Sequence, residues 1–108
     1  MVSLLSFIEM ALSFPDVIEL PHFHLRSFRI NKKIFATLHE KDNRAMLKLP
    51  LADQSVFCLF DENIFFPVPG AWGKGGATFV NLKKVKRSIL KEALEIAYTN
   101  ASVKKKSK

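Results

Sequence analysis

Apolar and polar residues alternate with a period of two in several segments of the chain, and this alternation predicts strands. In residues 26–30, Phe28 and Ile30 fall on one side of the backbone, whereas Ser27 and Arg29 fall on the other. An antiparallel sheet that is covered by helices on one face needs this pattern. The predicted strands span residues 17–22, 26–30, 33–40, 44–49 and 77–82.

Residues 64–68 are apolar as well, but two prolines limit where they can lie. Proline cannot donate a hydrogen bond to a neighbouring strand, so Pro67 and Pro69 exclude this segment from the middle of a sheet. The segment is predicted to be an edge strand or an extended loop. Between the second and third strands, Asn31-Lys32 predicts a tight hairpin turn.

Apolar residues recur at every third or fourth position in other segments, and this spacing predicts helices. The first helix covers about residues 3–13, with Ser3 as its N-cap and Pro15 just beyond its end. The second helix covers residues 51–60. Pro50 is predicted to open it, because proline is favoured at the first helical position.

The last predicted helix carries an apolar face and a basic face. It begins at Asn81 or Leu82 and runs to about Asn100. Its core-facing stripe is predicted to comprise Leu82, Val85, Ile89, Ala93 and Ile96. Its basic face is predicted to comprise Lys84, Arg87 and Lys91.

These elements follow one another in the order α-β-β-β-β-α-β-β-α, which predicts an α+β fold with an antiparallel sheet. A length of 108 residues favours a single domain. We assign that domain to residues 1–100. Residues 101–108 are predicted to be a basic, disordered tail.

Positive charge is concentrated near the C-terminus. Residues 1–73 contain 7 Lys/Arg and 8 Asp/Glu (net −1), and residues 74–108 contain 10 Lys/Arg and 2 Asp/Glu (net +8), which together give the net charge of +7. Polyanions respond to local charge more than to net charge. The basic last third is therefore either a solvated surface or a functional basic patch.

Cysteine content and hydropathy limit the expected location of the protein. The single cysteine, Cys58, lies in an apolar run and is predicted to be structural rather than a thiolate nucleophile. Residues 2–14 lack the basic start and the cleavage pattern of a signal peptide. No apolar run reaches membrane-spanning length, so we expect no membrane partner and a cytoplasmic location.

Motifs for nucleotide, metal or catalytic sites are weak. The segment Gly70–Gly76 holds all 4 glycines, but it lacks the P-loop pattern, and a strand rather than a helix is predicted to follow it. His22 and His24 would face the same side of a strand, yet zinc needs a third ligand, which only His39 could supply. No acid–base pair or nucleophile elbow is evident. We therefore expect no cofactor and no enzymatic activity.

Nucleic-acid binding is indicated by basic residues grouped near an aromatic residue. Trp72, in the glycine-rich segment, either exposes its ring to a ligand or folds back over the end of the sheet. The candidate nucleic-acid-binding residues are Lys32, Lys33, Trp72, Lys74, Lys83, Lys84, Arg87 and Lys91.

Four stretches of the chain resemble the MmcQ/YjbR-like family of small bacterial proteins. They are Phe-Pro-Asp-Val at residues 14–17, Ser-Phe-Arg-Ile at 27–30, Lys-Ile-Phe-Ala at 33–36 and Pro-Val-Pro-Gly-Ala-Trp-Gly-Lys at 67–74. The resemblance runs from about residue 12 to residue 98. It implies a two-layer α/β fold, an antiparallel sheet covered by helices, related in shape to type III secretion chaperones.

The resemblance also implies DNA binding through a "double-wing" motif, and it implies no catalytic residues. The wings would be the turn at Asn31-Lys32-Lys33 and the segment Gly70–Gly76. Family members commonly carry a second Trp after the glycine-rich segment, where this chain has Ala77.

The likeness in shape to chaperones implies an alternative function, a protein-interaction domain. In that case Phe65, Phe66 and Trp72 would form an apolar patch rimmed by charge. A continuous basic face would favour a nucleic-acid partner, and a large exposed apolar face would favour a protein partner. The sequence leaves the oligomeric state open.

Overall fold

The computed structural model describes residues 1–102. Within them, four α-helices and a 3₁₀ helix accompany a six-stranded antiparallel sheet with strand order β1-β2-β3-β4-β6-β5. The strands are β1 (Ile18–His22), β2 (Leu25–Ile30), β3 (Lys33–His39), β4 (Arg44–Lys48), β5 (Phe65–Pro67) and β6 (Ala77–Asn81). The helices are α1 (Leu4–Leu12), α2 (Leu51–Phe60), α3 (Ala71–Lys74) and α4 (Arg87–Ser102), with the 3₁₀ helix at Glu40–Asp42.

The main hydrophobic core lies between one face of the sheet and the helices. Phe7 of α1 packs edge-on against Phe28 of β2, with 5.7 Å between ring centroids. Phe57 of α2 contacts Phe65 of β5 at 4.9 Å. Helix α4 contributes the buried side chains Leu90, Ala93, Leu94, Ala97 and Ala101. Removing this apolar surface from water is the dominant favourable contribution to folding.

A β-bulge in β3 changes which side chains face the core. Phe28 pairs with Ala36, but the next residue, Arg29, pairs with Ile34, so Phe35 has no partner in the ladder. The bulge lets Phe35 and Ala36 both be buried, while Ile34 turns to the other face. The strict alternation predicted from the sequence, with Ile34 on the same side as Ala36, is wrong at this end of β3.

The early helices and the short strand agree closely with the sequence-based expectations. Helix α1 has Ser3 as its N-cap, with the Ser3 hydroxyl accepting from the Ser6 amide at 3.1 Å. Helix α2 has the predicted bounds, although Pro50 is its N-cap rather than its first helical residue. Residues 65–67 form an edge strand, which decides between the two alternatives for that segment.

Helix α4 begins later than predicted, because Asn81 forms a turn instead of opening the helix. Its side-chain oxygen accepts from the Lys83 amide at 3.0 Å, and its carbonyl accepts from the amides of Lys84 and Val85 at 3.2 and 3.1 Å. Asparagine often makes such local bonds, which compete with helix formation. Lys84 therefore lies outside α4, and the predicted basic face of Lys84, Arg87 and Lys91 does not form on one helix.

Helix α4 also differs from the prediction in its buried face and its end. Ile89 and Ile96, predicted in the core-facing stripe, are only half-buried. The helix continues to Ser102, so residues 101–102 belong to it rather than to a tail. The rest of the predicted tail, residues 103–108, lies outside the described residues.

The glycine-rich segment contains the short helix α3, so the observed element order has one helix more than the predicted order. The α+β class and the antiparallel sheet are as expected. None of the helices within residues 1–102 is both long enough and apolar enough to cross a membrane.

Candidate ligand-binding groove on the open face of the sheet

The face of the sheet opposite the main core carries a second row of side chains. Cross-strand pairing aligns Ser27, Thr37, Met46, Phe79 and Phe66 across five neighbouring strands. A separate apolar cluster lies at the β5 edge. It consists of Met46, Phe66, Val68, Ala77 and Phe79. The part of this face nearer β1 is open.

A groove of about 750 Å³ lies on this open part, and we call it the sheet groove. Its lining combines apolar side chains from β2, β3 and β4 with basic and aromatic residues, and the groove reaches the end of α4. The lining residues are His22, Phe23, Leu25, Arg29, Lys32, Lys33, Ile34, Thr37, Met46, Lys48, Trp72, Asn100 and Ala101.

Among residues 1–102, the cations that line the sheet groove are Arg29, Lys32, Lys33 and Lys48. No carboxylate is among the lining residues that belong to the described chain, and none of the four cations takes part in an ion pair within residues 1–102. Arg29 donates from Nε to the Ser27 hydroxyl at 3.1 Å, which fixes its guanidinium over the sheet. The lining that residues 1–102 contribute to the groove is therefore positively charged.

The β2–β3 hairpin turn places two of these cations at the groove. Asn31 and Lys32 both adopt positive φ angles, 53° and 69°, as a two-residue type I′ turn requires. The Asn31 amide donates to the carbonyl of Ser102 at 3.5 Å, which ties the turn to the end of α4. The predicted hairpin at Asn31-Lys32 is confirmed.

Phe23 is a groove residue that the sequence did not reveal. It lies in the two-residue turn between His22 and Leu25, which pair with each other, and its side chain is 88% exposed. Its φ angle of 60° is uncommon for a bulky residue and costs conformational energy. Recognising that β1 ends at His22 and β2 begins at Leu25 would have placed this ring in a tight hairpin turn.

Trp72 lies on α3, and the backbone of α3 packs closely against Pro67 and Val68. A Cβ at Gly73 would overlap the carbonyl oxygen of Val68. The side-chain amide of Gln54, a buried residue of α2, donates to the carbonyls of Gly73 and Ala77 at 2.9 and 3.2 Å. The indole itself is 69% exposed, so Trp72 does not fold back over the end of the sheet.

The predicted nucleic-acid-binding residues are not all brought together. Lys32, Lys33 and Trp72 line the sheet groove, whereas Lys74 is exposed on α3 outside its lining. Lys83 and Lys84 lie in the β6–α4 turn. The amide of Leu82, just before them, donates a hydrogen bond to the carbonyl of Asn43, which precedes β4. This turn is at the far end of β3 from Lys33, about 20 Å away along a seven-residue strand. Arg87 and Lys91 are on α4, in the helical layer.

The predicted apolar patch of Phe65, Phe66 and Trp72 does not form. Phe65 is fully buried in the main core, and Phe66 points to the opposite face, where it packs on Phe79 at 5.7 Å. Exposed apolar side chains instead line the outer face of α2. We call them the α2 stripe; they are Ala52, Val56, Leu59 and Phe60.

Beside the α2 stripe, α2 and α4 enclose two adjoining hollows of about 550 and 260 Å³, together called the helix cleft. Asp53, Glu92 and Glu95 supply its charge, and no Lys or Arg lines it among the residues that the structure describes. Its apolar lining includes Val56, Phe57, Phe60, Ile89 and Ile96.

The titratable residues considered as chemical groups lie apart from one another. Cys58 is half-buried against the core, and this burial raises the pKa of its thiol, which keeps it protonated. His22 lies in β1, whereas His24 lies in the adjoining turn rather than on a strand. Across residues 1–102, no three His, Cys, Asp or Glu side chains are grouped so that they could hold a metal ion.

Comparisons of the chain with protein-family models, with curated proteins and with solved structures found no match. The sheet groove and the helix cleft are therefore the basis for assigning a function.

Proposed function

We propose that the protein binds nucleic acid and that the sheet groove is the binding surface. The observation that carries this proposal is the lining of the groove, which combines Arg29, Lys32, Lys33 and Lys48 with apolar and aromatic side chains and has no carboxylate among the described residues. Cations grouped with exposed aromatic rings are typical of nucleic-acid-binding surfaces. The DNA binding implied by the resemblance to MmcQ/YjbR-like proteins agrees with this proposal.

The proposed contacts differ from the two-wing arrangement that the resemblance implies. The turn at Asn31-Lys32-Lys33 keeps its place as a contact, because both lysines line the groove. The second contact is α3 with Trp72, a short helix rather than an extended wing. The lysines of the β6–α4 turn have no part in the proposed surface.

Charge reversal at two pairs of adjacent lysines tests which surface binds. Lys32→Glu/Lys33→Glu and Lys83→Glu/Lys84→Glu change the net charge equally, but only the first pair lines the groove. Losing two charged contacts at about 1.5 kcal/mol each corresponds to about 100-fold in affinity. Fluorescence anisotropy with a labelled oligonucleotide should show this loss for the first variant and less than about a 5-fold loss for the second. Equal losses would contradict the assignment to the groove.

The dependence of affinity on salt gives an independent measure of the same surface. If all four groove cations contact phosphates of a single strand, log K should fall with log[salt] at a slope of about −3. The Lys32→Glu/Lys33→Glu variant should have about half that slope, because two contacts remain. A slope unchanged by this variant would place the phosphates elsewhere.

We also infer a second function, the docking of a partner protein, from the α2 stripe. Val56 is 64% exposed and Leu59 is 87% exposed, although the opposite face of the same helix is buried in the core. Exposed apolar side chains that are grouped on one helix face often mark a site where a partner docks. The adjoining helix cleft carries three carboxylates in a protein of net charge +7. Charge complementarity therefore favours a cationic amphipathic segment that lies along the cleft.

Two synthetic helical peptides with the same apolar pattern test this docking surface. A Lys-Leu peptide should bind, and a Glu-Leu peptide should not, in a calorimetric titration. Glu92→Lys/Glu95→Lys should abolish binding of the Lys-Leu peptide, whereas Leu5→Lys, at another exposed apolar position on α1, should leave it unchanged. Binding of both peptides, or binding unaffected by the Glu92/Glu95 variant, would contradict this second function.

A further inference from the structure

We propose that the sheet groove selects single-stranded over double-stranded nucleic acid, with unpaired bases stacking on Phe23 and Trp72. This inference rests on the proposed nucleic-acid-binding function and names the form of the ligand. It follows from three features of the groove: its two exposed rings, its apolar floor and the position of its cations.

The two rings are available for stacking, and the backbone segments that carry them are constrained. Phe23 is 88% exposed and Trp72 is 69% exposed, yet both belong to tightly constrained backbone segments. Phe23 occupies a two-residue hairpin turn at positive φ, and Trp72 stands on α3, which is fixed by Gly73 and the amide of Gln54. Because the backbone is ordered before binding, only side-chain freedom remains to be lost when a base stacks on either ring.

The apolar floor of the groove favours contact with bases rather than with phosphates. Leu25, Ile34 and Met46 present apolar side chains to the groove. In a duplex the base faces are stacked on one another and phosphates form the outside, so a duplex would leave this floor and both rings in contact with water. A single strand can turn its bases onto the floor and the rings while its phosphates reach the cations of the groove.

The four cations lie together at one end of the floor, next to the β2–β3 turn, and Phe23 lies at the other end of β2. Lys32 and Lys33 come from the β2–β3 turn, Arg29 from β2 and Lys48 from the end of β4. Four phosphate contacts correspond to a short site, at the small end of the range of about 4–16 nucleotides seen for single-strand-binding folds. Base stacking tolerates any base, so the groove should show little sequence preference.

Trp72 is the only tryptophan of the chain, and its fluorescence reports directly on the groove. Titration with an unlabelled single-stranded oligonucleotide should quench this fluorescence, because a base then stacks on the indole. The same sequence as a duplex should bind at least about 10-fold more weakly and should quench little at equal saturation. Quenching by the duplex with equal affinity would overturn the inference.

Removal of each ring tests stacking against electrostatic attraction alone. Phe23→Ala and Trp72→Ala should each weaken single-strand binding by about 10-fold or more, within the range measured for base–aromatic stacking. Phe60→Ala is the matched control, because Phe60 is a similarly exposed ring on α2, outside the groove. On an abasic oligonucleotide of the same length, Phe23→Ala and Trp72→Ala should have no effect, since phosphates are present but bases are not. An equal loss on the abasic strand would overturn the inference.

Failure of this inference can be distinguished from failure of the proposed function. If Lys32→Glu/Lys33→Glu weakens binding of single strand, duplex and abasic strand alike, and the ring variants bind all three normally, the groove binds nucleic acid without selecting single strands. If the unaltered protein binds none of the three at low salt, both proposals fail. Circular dichroism of every variant establishes that it is folded.

Discussion

The sheet groove and the helix cleft are both hollows with apolar lining in one small domain, but they carry opposite charge. The sheet groove has four cations and two exposed rings. Among residues 1–102, the helix cleft has three carboxylates, and Val56 and Phe60 of the α2 stripe belong to its lining. A protein of net charge +7 therefore presents two surfaces suited to different partners.

The difference shows that the position of a charge along the chain is a poor guide to its position in space. All four groove cations lie within residues 29–48, in the part of the chain whose net charge is −1. Two of the three cleft carboxylates, Glu92 and Glu95, lie in the part whose net charge is +8. Strand alternation and a hairpin turn gather the cations on one face, whereas the turns of α4 direct its acids toward α2.

The largest expected effect on the sheet groove comes from displacing α3, the helix that carries Trp72. Gly73→Ala would place a Cβ against the carbonyl of Val68, and the backbone must move to accommodate it. We expect a loss of about 3 kcal/mol in the free energy of unfolding, at the upper end for overpacking, and a loss of nucleic-acid affinity. Urea denaturation and anisotropy measure the two effects.

Gly75→Ala is the matched control for this substitution. Gly75 has a negative φ angle, and an added Cβ would meet only ordinary van der Waals contacts. Its unfolding free energy should change by less than about 1 kcal/mol. Equal destabilisation by the two variants would show that α3 is not held by the close approach at Gly73.

Gln54 connects α2 to α3 and β6, and its removal should affect both the fold and the position of Trp72 in the groove. Gln54→Leu would leave the buried carbonyls of Gly73 and Ala77 without their side-chain donor. We expect a loss of about 2 kcal/mol in unfolding free energy, together with a change in the Trp72 emission maximum as α3 loosens. Ser55→Ala, at the next and exposed position of α2, should change neither quantity. An unaltered emission spectrum in Gln54→Leu would contradict this coupling.

The smallest predicted effect is a pH dependence of stability that arises outside both surfaces. Burial, and secondarily the nearby Arg44, lowers the pKa of His39 below its usual value near 6.5, against an opposing effect of Asp42. The unfolded chain therefore binds a proton more readily than the folded protein does. The contribution of neutral His39 to stability is complete above pH 6.5 and declines as the pH falls through 6.5 toward the lower folded pKa.

Thermal melting between about pH 7.5 and pH 5 measures this effect. The melting temperature should fall on acidification, and it should fall less in His39→Gln, which cannot titrate. If His39→Gln and the unaltered protein lose stability equally over this range, other groups account for the pH dependence.

Much of the fold could be predicted from local sequence features. Ser3 caps α1, Pro67 confines β5 to the sheet edge, and Asn31-Lys32 forms a hairpin turn. The bulge at Phe35 and the late start of α4 after Asn81 were not predicted. Both depend on competition between a regular pattern and a local alternative, and packing against the rest of the chain decides such competition.

The candidate site was predicted less completely than the fold. Lys32, Lys33 and Trp72 were identified. Arg29 and Lys48 were missed because each is flanked by apolar residues on a strand, and Phe23 was missed because the turn between His22 and Leu25 was not recognised. They meet only when β2, β3 and β4 pair in register. Lys83 and Lys84 were included because they adjoin other lysines, and the fold directs them to the far end of β3.

The most direct test of the proposed sheet-groove function is to locate a bound single strand by amide chemical shifts. In a titration of ¹⁵N-labelled protein with a short single-stranded oligonucleotide, the largest shifts should fall in β2, at the Asn31–Lys33 turn, around Phe23 and along α3. The amides of Lys83, Lys84, Glu92 and Glu95 should change little. Shifts centred on the β6–α4 turn and α4, with the sheet groove unchanged, would contradict the account.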